Sequence, residues 1–296
     1  MIKPPEAESY LALIELARQE DVGEGDITTQ VMIAAEKVGR GKLVFREGGV
    51  LCGMGMVEQV LRVYDKELKL KGGYEDGDKI AANKVVGEIT GPLRAMLTCE
   101  RVVLNFLQQL SAIATVTAAY VKAVAGTGAK IYDTRKTTPG WRELEKYAVR
   151  CGGGENHRQG LYDAVLIKDN HLAGWEGKEL GAVLKEVIGK IRSAERRLDF
   201  IQVEVDTSEQ LRCVLGVEGV DIVLLDNFTP KQLREAVALR DEMTGKDGVQ
   251  LEASGGVTLS NVRQIAETGV ERISIGALTH SVSNLDIALD IENSSG

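Results

Sequence analysis

The chain has 296 residues, of which 44% are hydrophobic and 27% charged; at about 150 residues per domain this is one large barrel or two ordinary domains. It excludes fibrous, disordered and staple-dependent miniature folds. A net charge of −8, from 36 basic and 44 acidic residues, and an aromatic content of 4% argue against a nucleic-acid binder, which needs the opposite sign and stacking rings.

No run approaches the ~18 uninterrupted apolar residues of a membrane span, and the first residues lack the apolar core of a signal peptide, so a cytoplasmic protein with no membrane partner is expected. Cysteines 52, 99, 151 and 213 lack paired C-x-x-C spacing and read as core thiols in a reducing compartment. The three histidines, His157, His171 and His280, all fall in the second half, where the chemistry is therefore expected.

Taken in chain order, residues 10–19 have helical periodicity, and residues 20–29 form an acidic, glycine-punctuated loop. Short β-type runs at 41–45, 50–52, 66–70 and 85–90 alternate with turn signals, which predicts a small α+β unit. Pro92 closes it. From residue 93 to about 126 the pattern is helical, with an apolar face interrupted by one polar line of Thr98, Arg101, Asn105 and Gln108.

Beyond residue 126, compact apolar runs recur at 129–133, 164–168, 200–205, 221–225, 249–253 and 272–275. Helical patterns lie between most of them, at 141–150, 179–191, 208–215, 230–243 and 260–268. Near-continuous apolar strands alternating with helices predict an all-parallel sheet covered by helices. Six or seven such units favour a closed or nearly closed barrel over an open doubly wound sheet.

In either architecture ligands bind at the carboxyl ends of the strands, and those ends are polar here. Arg135 and Lys136, followed by Thr137 and Thr138, bring donors to one turn suited to clamping an anion; the alternative is a solvated basic loop. The glycines at 152–154 place His157 and Arg158 beyond a flexible turn that lets backbone and side chains approach a planar anion; the alternative is a mobile surface loop. Lys168 ends an apolar strand, where an ammonium is costly unless it meets a negative ligand, while Asn170 and His171 are suited to capping the next helix.

Glu204 and Asp226 sit at matching depths of neighbouring strands, as a pair of carboxylates holding magnesium against a phosphate ligand does. The competing reading is an ion pair with Arg135 or Lys168. Ser254-Gly255-Gly256 and Ser274-Ile275-Gly276 offer backbone N–H groups at helix starts, a seat for a terminal phosphate or simply two turns.

The strings Asp133-Thr-Arg-Lys-Thr-Thr-Pro-Gly140, Gly152-Gly-Gly-Glu-Asn-His-Arg-Gln-Gly-Leu161, Leu166-Ile-Lys-Asp-Asn-His171, Val203-Glu-Val205, Asp226-Asn-Phe228 and Glu252-Ala-Ser-Gly-Gly256 resemble, in order, the motifs of the quinolinate phosphoribosyltransferase family. The acidic loop from Glu20 to Thr29 resembles that family's amino-terminal motif, so the likeness spans nearly the whole chain.

The resemblance implies an α/β chain: a small α+β sandwich over residues 1–111, then an incomplete (β/α) barrel of six to seven parallel strands over 112–296, with a tail from about 280 packing back on the first domain. It implies transfer of phosphoribose from phosphoribosyl pyrophosphate to quinolinate with loss of CO2, giving nicotinate mononucleotide and pyrophosphate for NAD biosynthesis. By position it assigns Arg135, His157, Arg158 and Lys168 to the two pyridine carboxylates, and Lys136 with Lys168 to the pyrophosphate side of the donor. Thr137 joins the substrate contacts. Glu204 and Asp226 match residues that contact the ribose and its Mg2+. The turns Ser254, Gly255, Gly256 and Ser274, Ile275, Gly276 would hold the 5-phosphate, with His280 near the same end.

Lys136, Lys168, Glu204 and Asp226 are thereby the residues expected to act on the reacting groups. Arg101 matches an arginine that enters the neighbouring subunit's site, which implies a homodimer or a hexamer built from dimers. Three readings remain beside this one: a related phosphoribosyltransferase acting on another small carboxylic acid, a Schiff-base lyase using Lys168, and a non-catalytic sensor of phosphorylated metabolites.

Overall fold

The computed structural model describes residues 2–292 except 173, 176, 195–196 and 246–247. The chain divides into two compact units. The first comprises 1–118, 137–153 and 277–296, and the second 119–136 and 154–276. The expected boundary between residues 111 and 112 thus falls inside a continuous helix, and the segment 137–153 clusters with the amino-terminal elements.

The first unit opens with α1 (Leu11–Val22) and α2 (Ile27–Met32). Part of the expected loop at 20–29 is therefore helical: α1 runs on to Val22, and Asp26 Oδ1 accepts the Thr29 N–H at 2.9 Å to start α2. There follow β1 (Val38–Phe45), β2 (Gly49–Val50), α3 (Met54–Tyr64), β3 (Lys69–Gly72), β4 (Lys79–Ile80), β5 (Lys84–Pro92) and α4 (Leu93–Ala123). The helix α4 is long and apolar enough to cross a membrane by length and composition. Its apolar side chains, among them Met96, Val103, Leu107 and Ile113, are buried in the protein.

The second unit's strands alternate with helices: β6 (Lys130–Tyr132), α5 (Arg142–Cys151), β7 (Val165–Ile167), α6 (Asp169–Leu172), α7 (Gly177–Ser193), β8 (Ile201–Val205), α8 (Ser208–Leu215), β9 (Ile222–Asp226), α9 (Pro230–Thr244), β10 (Gln250–Ser254), α10 (Val262–Ala266) and β11 (Arg272–Ser274). Of these, α5 belongs to the first unit, as do α11 (Ala277–His280) and β12 (Ile287–Glu292). The strand β12 pairs antiparallel with β1, and β1 with β5 and β5 with β3 complete a four-stranded sheet.

The six parallel strands run in the spatial order β6-β11-β10-β9-β8-β7. That order is the sequence order turned once around a circle, so the unit is a barrel left unclosed between β6 and β7. At this seam the backbone of Glu155 bridges to β6: its N–H donates to Ile131 O at 2.8 Å, and its carbonyl accepts from Asp133 N–H at 3.1 Å. Strand residues alternate between two faces. One set, including Val203, Val205, Val223, Leu225, Leu251 and Ile273, is buried and apolar. The other set points inward and carries Glu204, Leu224, Asp226, Glu252 and Ser254.

Consecutive helices α7, α8, α9 and α10 pack side by side over this barrel. Thr207–Gln210 and Thr229–Gln232 form reciprocal capping boxes that start α8 and α9 immediately after their strands, and Pro230 takes the first helical position of α9. Abrupt helix starts keep the strand–helix turns short, which leaves the carboxyl ends of the strands open as a rim.

Candidate active site

A cavity of ≈ 420 Å³ opens at the carboxyl ends of these strands. Thr134, Arg135, Lys136, His157, Arg158 and Lys168 line it together with Glu204, Asp226, Glu252, Ser254 and Ser274, and Leu166 and Leu224 supply apolar wall. Nine of the sequence-derived candidates therefore meet in one hollow. Each arrives from a different strand end, the placement a parallel barrel imposes.

Asp133, fully buried after β6, holds the loop that brings His157 and Arg158 inward. Its Oδ1 accepts the His157 N–H at 2.7 Å and its Oδ2 accepts from Asn156 Nδ2 at 2.6 Å. Further along, Asp163 accepts from Gln159 N–H at 2.5 Å and Gly160 N–H at 2.8 Å, which folds the next turn tightly. Burial, and then the neighbouring Arg135, push the Arg158 guanidinium below its ordinary range. Two guanidinium groups held close in a largely buried wall repel one another, and an anion between them relieves that cost.

Across the hollow, Lys168 Nζ lies 3.7 Å from Glu204 Oε2. Burial raises Glu204, Lys168 opposes the rise, and Asp226, Asp169 and Asp206 add to it. Asp226 is raised likewise by burial and Asp206, against the pull of Lys136 and Lys168. Carboxylates that resist ionisation because they crowd one another are relieved by a hard divalent cation with oxygen ligands, so Glu204 and Asp226 fit magnesium. His171 Nδ1 accepts the Lys168 N–H at 2.9 Å, which ties His171 to the turn into α6.

The phosphate-end candidates divide. Ser254 and Ser274 reach the cavity. Gly255, Gly256, Ile275 and Gly276 are outside its lining, and the Ile275 N–H is already donated to Tyr132 O at 2.9 Å. Gly255 has φ +95° and packs so closely on Asn227 that a Cβ would collide with the amide, so the turn admits only glycine.

Three further candidates lie in the other compact unit. Thr137 Oγ1 accepts from Arg142 Nε at 3.1 Å. His280 Nδ1 is 2.6 Å from Ser281 Oγ. Arg101 is exposed on α4 and borders a separate hollow with Asp21, Asp26 and Thr98. The polar line on α4 is partly structural: Thr98 Oγ1 donates to Asp26 Oδ2 at 3.1 Å, and Gln108 Nε2 to the Ile287 carbonyl at 2.7 Å.

Among the described residues a second group has metal-ligand chemistry, Cys52, Asp76 and Cys151, whose ligand atoms lie within 4.8 Å of one another. Asp76 is already occupied, accepting from Met54 N–H at 3.1 Å and from Tyr147 OH at 2.8 Å. Burial pushes the Cys52 thiol well up. These are core thiols.

Thr134, Leu166, Leu224 and Glu252 were not assigned roles from sequence. Glu252 was detectable as a charge inside the apolar run at 249–253, and Thr134 by its place beside Arg135. The two leucines gave no signal distinct from core.

Cations facing carboxylates at the mouth of a parallel barrel define an enzyme that handles polyanionic substrates. Comparison with known proteins narrows this. The model for the quinolinate phosphoribosyl transferase N-terminal domain matches residues 26–111 and that for its C-terminal domain residues 113–290. The nicotinate-nucleotide pyrophosphorylase [carboxylating] of Mycobacterium leprae is 43% identical over 297 residues, covering 98% of this chain and 100% of the relative. A probable nicotinate-nucleotide pyrophosphorylase [carboxylating] of Bacillus subtilis is 42% identical over 272 residues, covering 92% of this chain and 90% of its own length. The solved nicotinate-nucleotide pyrophosphorylase of Francisella tularensis superposes with a TM-score of 0.88 at 35% identity, covering 99% of each chain. The chain belongs to the quinolinate phosphoribosyltransferase family.

Proposed function

We propose that the protein transfers phosphoribose from phosphoribosyl pyrophosphate to quinolinate with decarboxylation, releasing nicotinate mononucleotide, pyrophosphate and CO2 in NAD biosynthesis. The observation that carries this reading is the single hollow that sets Arg135, Lys136, Arg158 and Lys168 against Glu204 and Asp226. A substrate with two carboxylates and a donor with a phosphate and a pyrophosphate need such a concentration of positive charge inside a chain that is acidic overall.

Arg135, Arg158 and Lys168 take the pyridine carboxylates through charge-assisted hydrogen bonds. Lys136 and Lys168 face the pyrophosphate, and Ser254 and Ser274 the 5-phosphate. Glu204 and Asp226 hold Mg2+ beside the ribose; when bound, the ion supplies charge that stabilises the departing pyrophosphate. The same two carboxylates face the positive charge that develops on the ribose as the C1–O bond breaks. The pyridine nitrogen adds its lone pair to C1, and once quaternised the ring accepts the electron pair left when the adjacent carboxylate departs as CO2. Positioning suffices for that step, with no covalent protein intermediate.

We further place the enzyme in the cytoplasm as a homodimer, or a hexamer of dimers, with Arg101 reaching the neighbouring site. The free thiols Cys52, Cys99, Cys151 and Cys213 fit a reducing compartment. Leu16, Ile27, Val31 and Met32 are 61%, 78%, 80% and 74% exposed on α1 and α2, an apolar surface of the kind a second copy covers. Incubation of the purified chain with quinolinate, phosphoribosyl pyrophosphate and Mg2+ is expected to yield nicotinate mononucleotide and CO2 in equal amounts. Product from nicotinate but none from quinolinate would replace this reading with that of a sister transferase.

A further inference from the structure

His157 is fixed at both ring nitrogens. The Arg158 backbone N–H donates to Nδ1 at 2.8 Å. A backbone amide can only donate, so Nδ1 is the acceptor and Nε2 carries the ring proton. That proton meets Gln202 Oε1 at 2.7 Å, with Glu252 Oε1 at 3.4 Å from the same nitrogen. The Gln202 amide is thereby oriented as well, since only its carbonyl can face a donor.

Both partners are fully buried inside the barrel. Glu252 is anchored in turn: Arg272 Nε donates to its Oε2 at 2.7 Å, and the Arg272 guanidinium stacks 3.6 Å above the centroid of the Tyr132 ring. The edge of Phe200 closes the remaining side, 5.2 Å from the His157 ring at 89°. Gln202 and Glu204 are two residues apart on β8 and so project to the same side of the strand, Gln202 one layer below the rim.

We propose that Gln202 is a positioning residue for the carboxylate pocket: by accepting the His157 Nε2 proton, with Glu252 beside it, it holds the tautomer whose Nδ1 seats the Arg158 amide and so aims Arg158 into the cavity. The inference rests on the reading of Arg158 as a quinolinate ligand. It makes His157 a hinge between the barrel interior and that ligand, with its ring nitrogens turned to the protein.

The test is the tautomer. In 15N-labelled full-length protein, with the His157 signals identified by their loss in His157→Asn, long-range 15N–1H spectra are expected to show an Nε2-protonated ring. Gln202→Glu keeps an acceptor and is expected to preserve that pattern. Gln202→Leu removes it and is expected to lose the single-tautomer pattern. It should also raise KM for quinolinate about tenfold or more, the worth of one buried hydrogen bond, with KM for the sugar donor unchanged and kcat changed less. Should Gln202→Leu not fold, Gln202→Met serves in its place.

A wild-type ring protonated on Nδ1, or an unchanged pattern in a folded variant lacking the acceptor, overturns the proposal. So does an equal rise in KM for both substrates. Collapse of the pattern with an unchanged KM for quinolinate supports the Gln202–His157 link and overturns Arg158 as the carboxylate ligand.

Discussion

Lys168 Nζ and Glu204 Oε2 are 3.7 Å apart, too far for a hydrogen bond and close enough for mutual attraction. A pair held at that distance leaves each group a free direction into the cavity. Glu204→Gln or Asp226→Asn is therefore expected to raise the Mg2+ concentration for half-maximal rate about tenfold or more, the value of one charge-assisted contact. Direct titration with Mn2+ followed by electron paramagnetic resonance checks the same loss without turnover. An unaltered requirement in both variants would place the ion elsewhere.

Arg135→Ala and Arg158→Ala are each expected to weaken quinolinate binding by about 1.5–3 kcal/mol, because a desolvated carboxylate loses an ionised partner. Donor binding should change far less. Calorimetric titration with each ligand separately decides this, and equal losses for both would remove the two arginines from the carboxylate pocket.

Arg101 lies on α4 of the first compact unit, outside the lining of the barrel cavity. If it completes a partner's site, Arg101→Ala and Lys168→Ala proteins, each inactive alone, should regain activity on mixing through hybrid dimers that keep one intact site. Subunit exchange is verified by native mass spectrometry, and a verified hybrid without activity would leave Arg101 no role across the interface.

Burial alone would drive the Glu252 carboxyl upward, yet the His157 ring and Arg272 hold it at about 2. A carboxyl depressed in the folded state adds stability above its unfolded pKa, and that share is lost as pH falls through the folded value. Glu252→Gln should therefore flatten the decline in denaturant midpoint between about pH 4.5 and pH 2. A decline as steep as wild type would show that other carboxyls carry the acid sensitivity.

All six barrel strands were legible in the sequence because each is a short apolar run with a polar residue where it ends, and burial on the outer face enforces that pattern. The strand β12 was not predicted from its residues: it alternates Ile287, Leu289 and Ile291 with polar or small neighbours, but nothing local says it must pair with β1, some 240 positions earlier. The acidic stretch at 20–29 was read as loop because its glycines outweighed Asp26, whose capping bond becomes visible only when α2 is seen. In the cavity, the cations announced themselves by ending strands. Ile275 did not, since whether a turn N–H is free for a ligand depends on a carbonyl of another strand. Gln202 was hidden in an apolar run because one buried amide looks like noise until its histidine is found.

The seam between β6 and β7 has a final consequence. Had further strands sealed that gap, the outer edge of β6 would be taken, and the stretch around Glu155 could not lie against it. His157 and Arg158 would then be confined to the brim like ordinary loop residues. The missing staves let a connecting segment slip through the side wall and deliver an imidazole beneath the substrate floor, so the architecture's apparent defect is its service entrance.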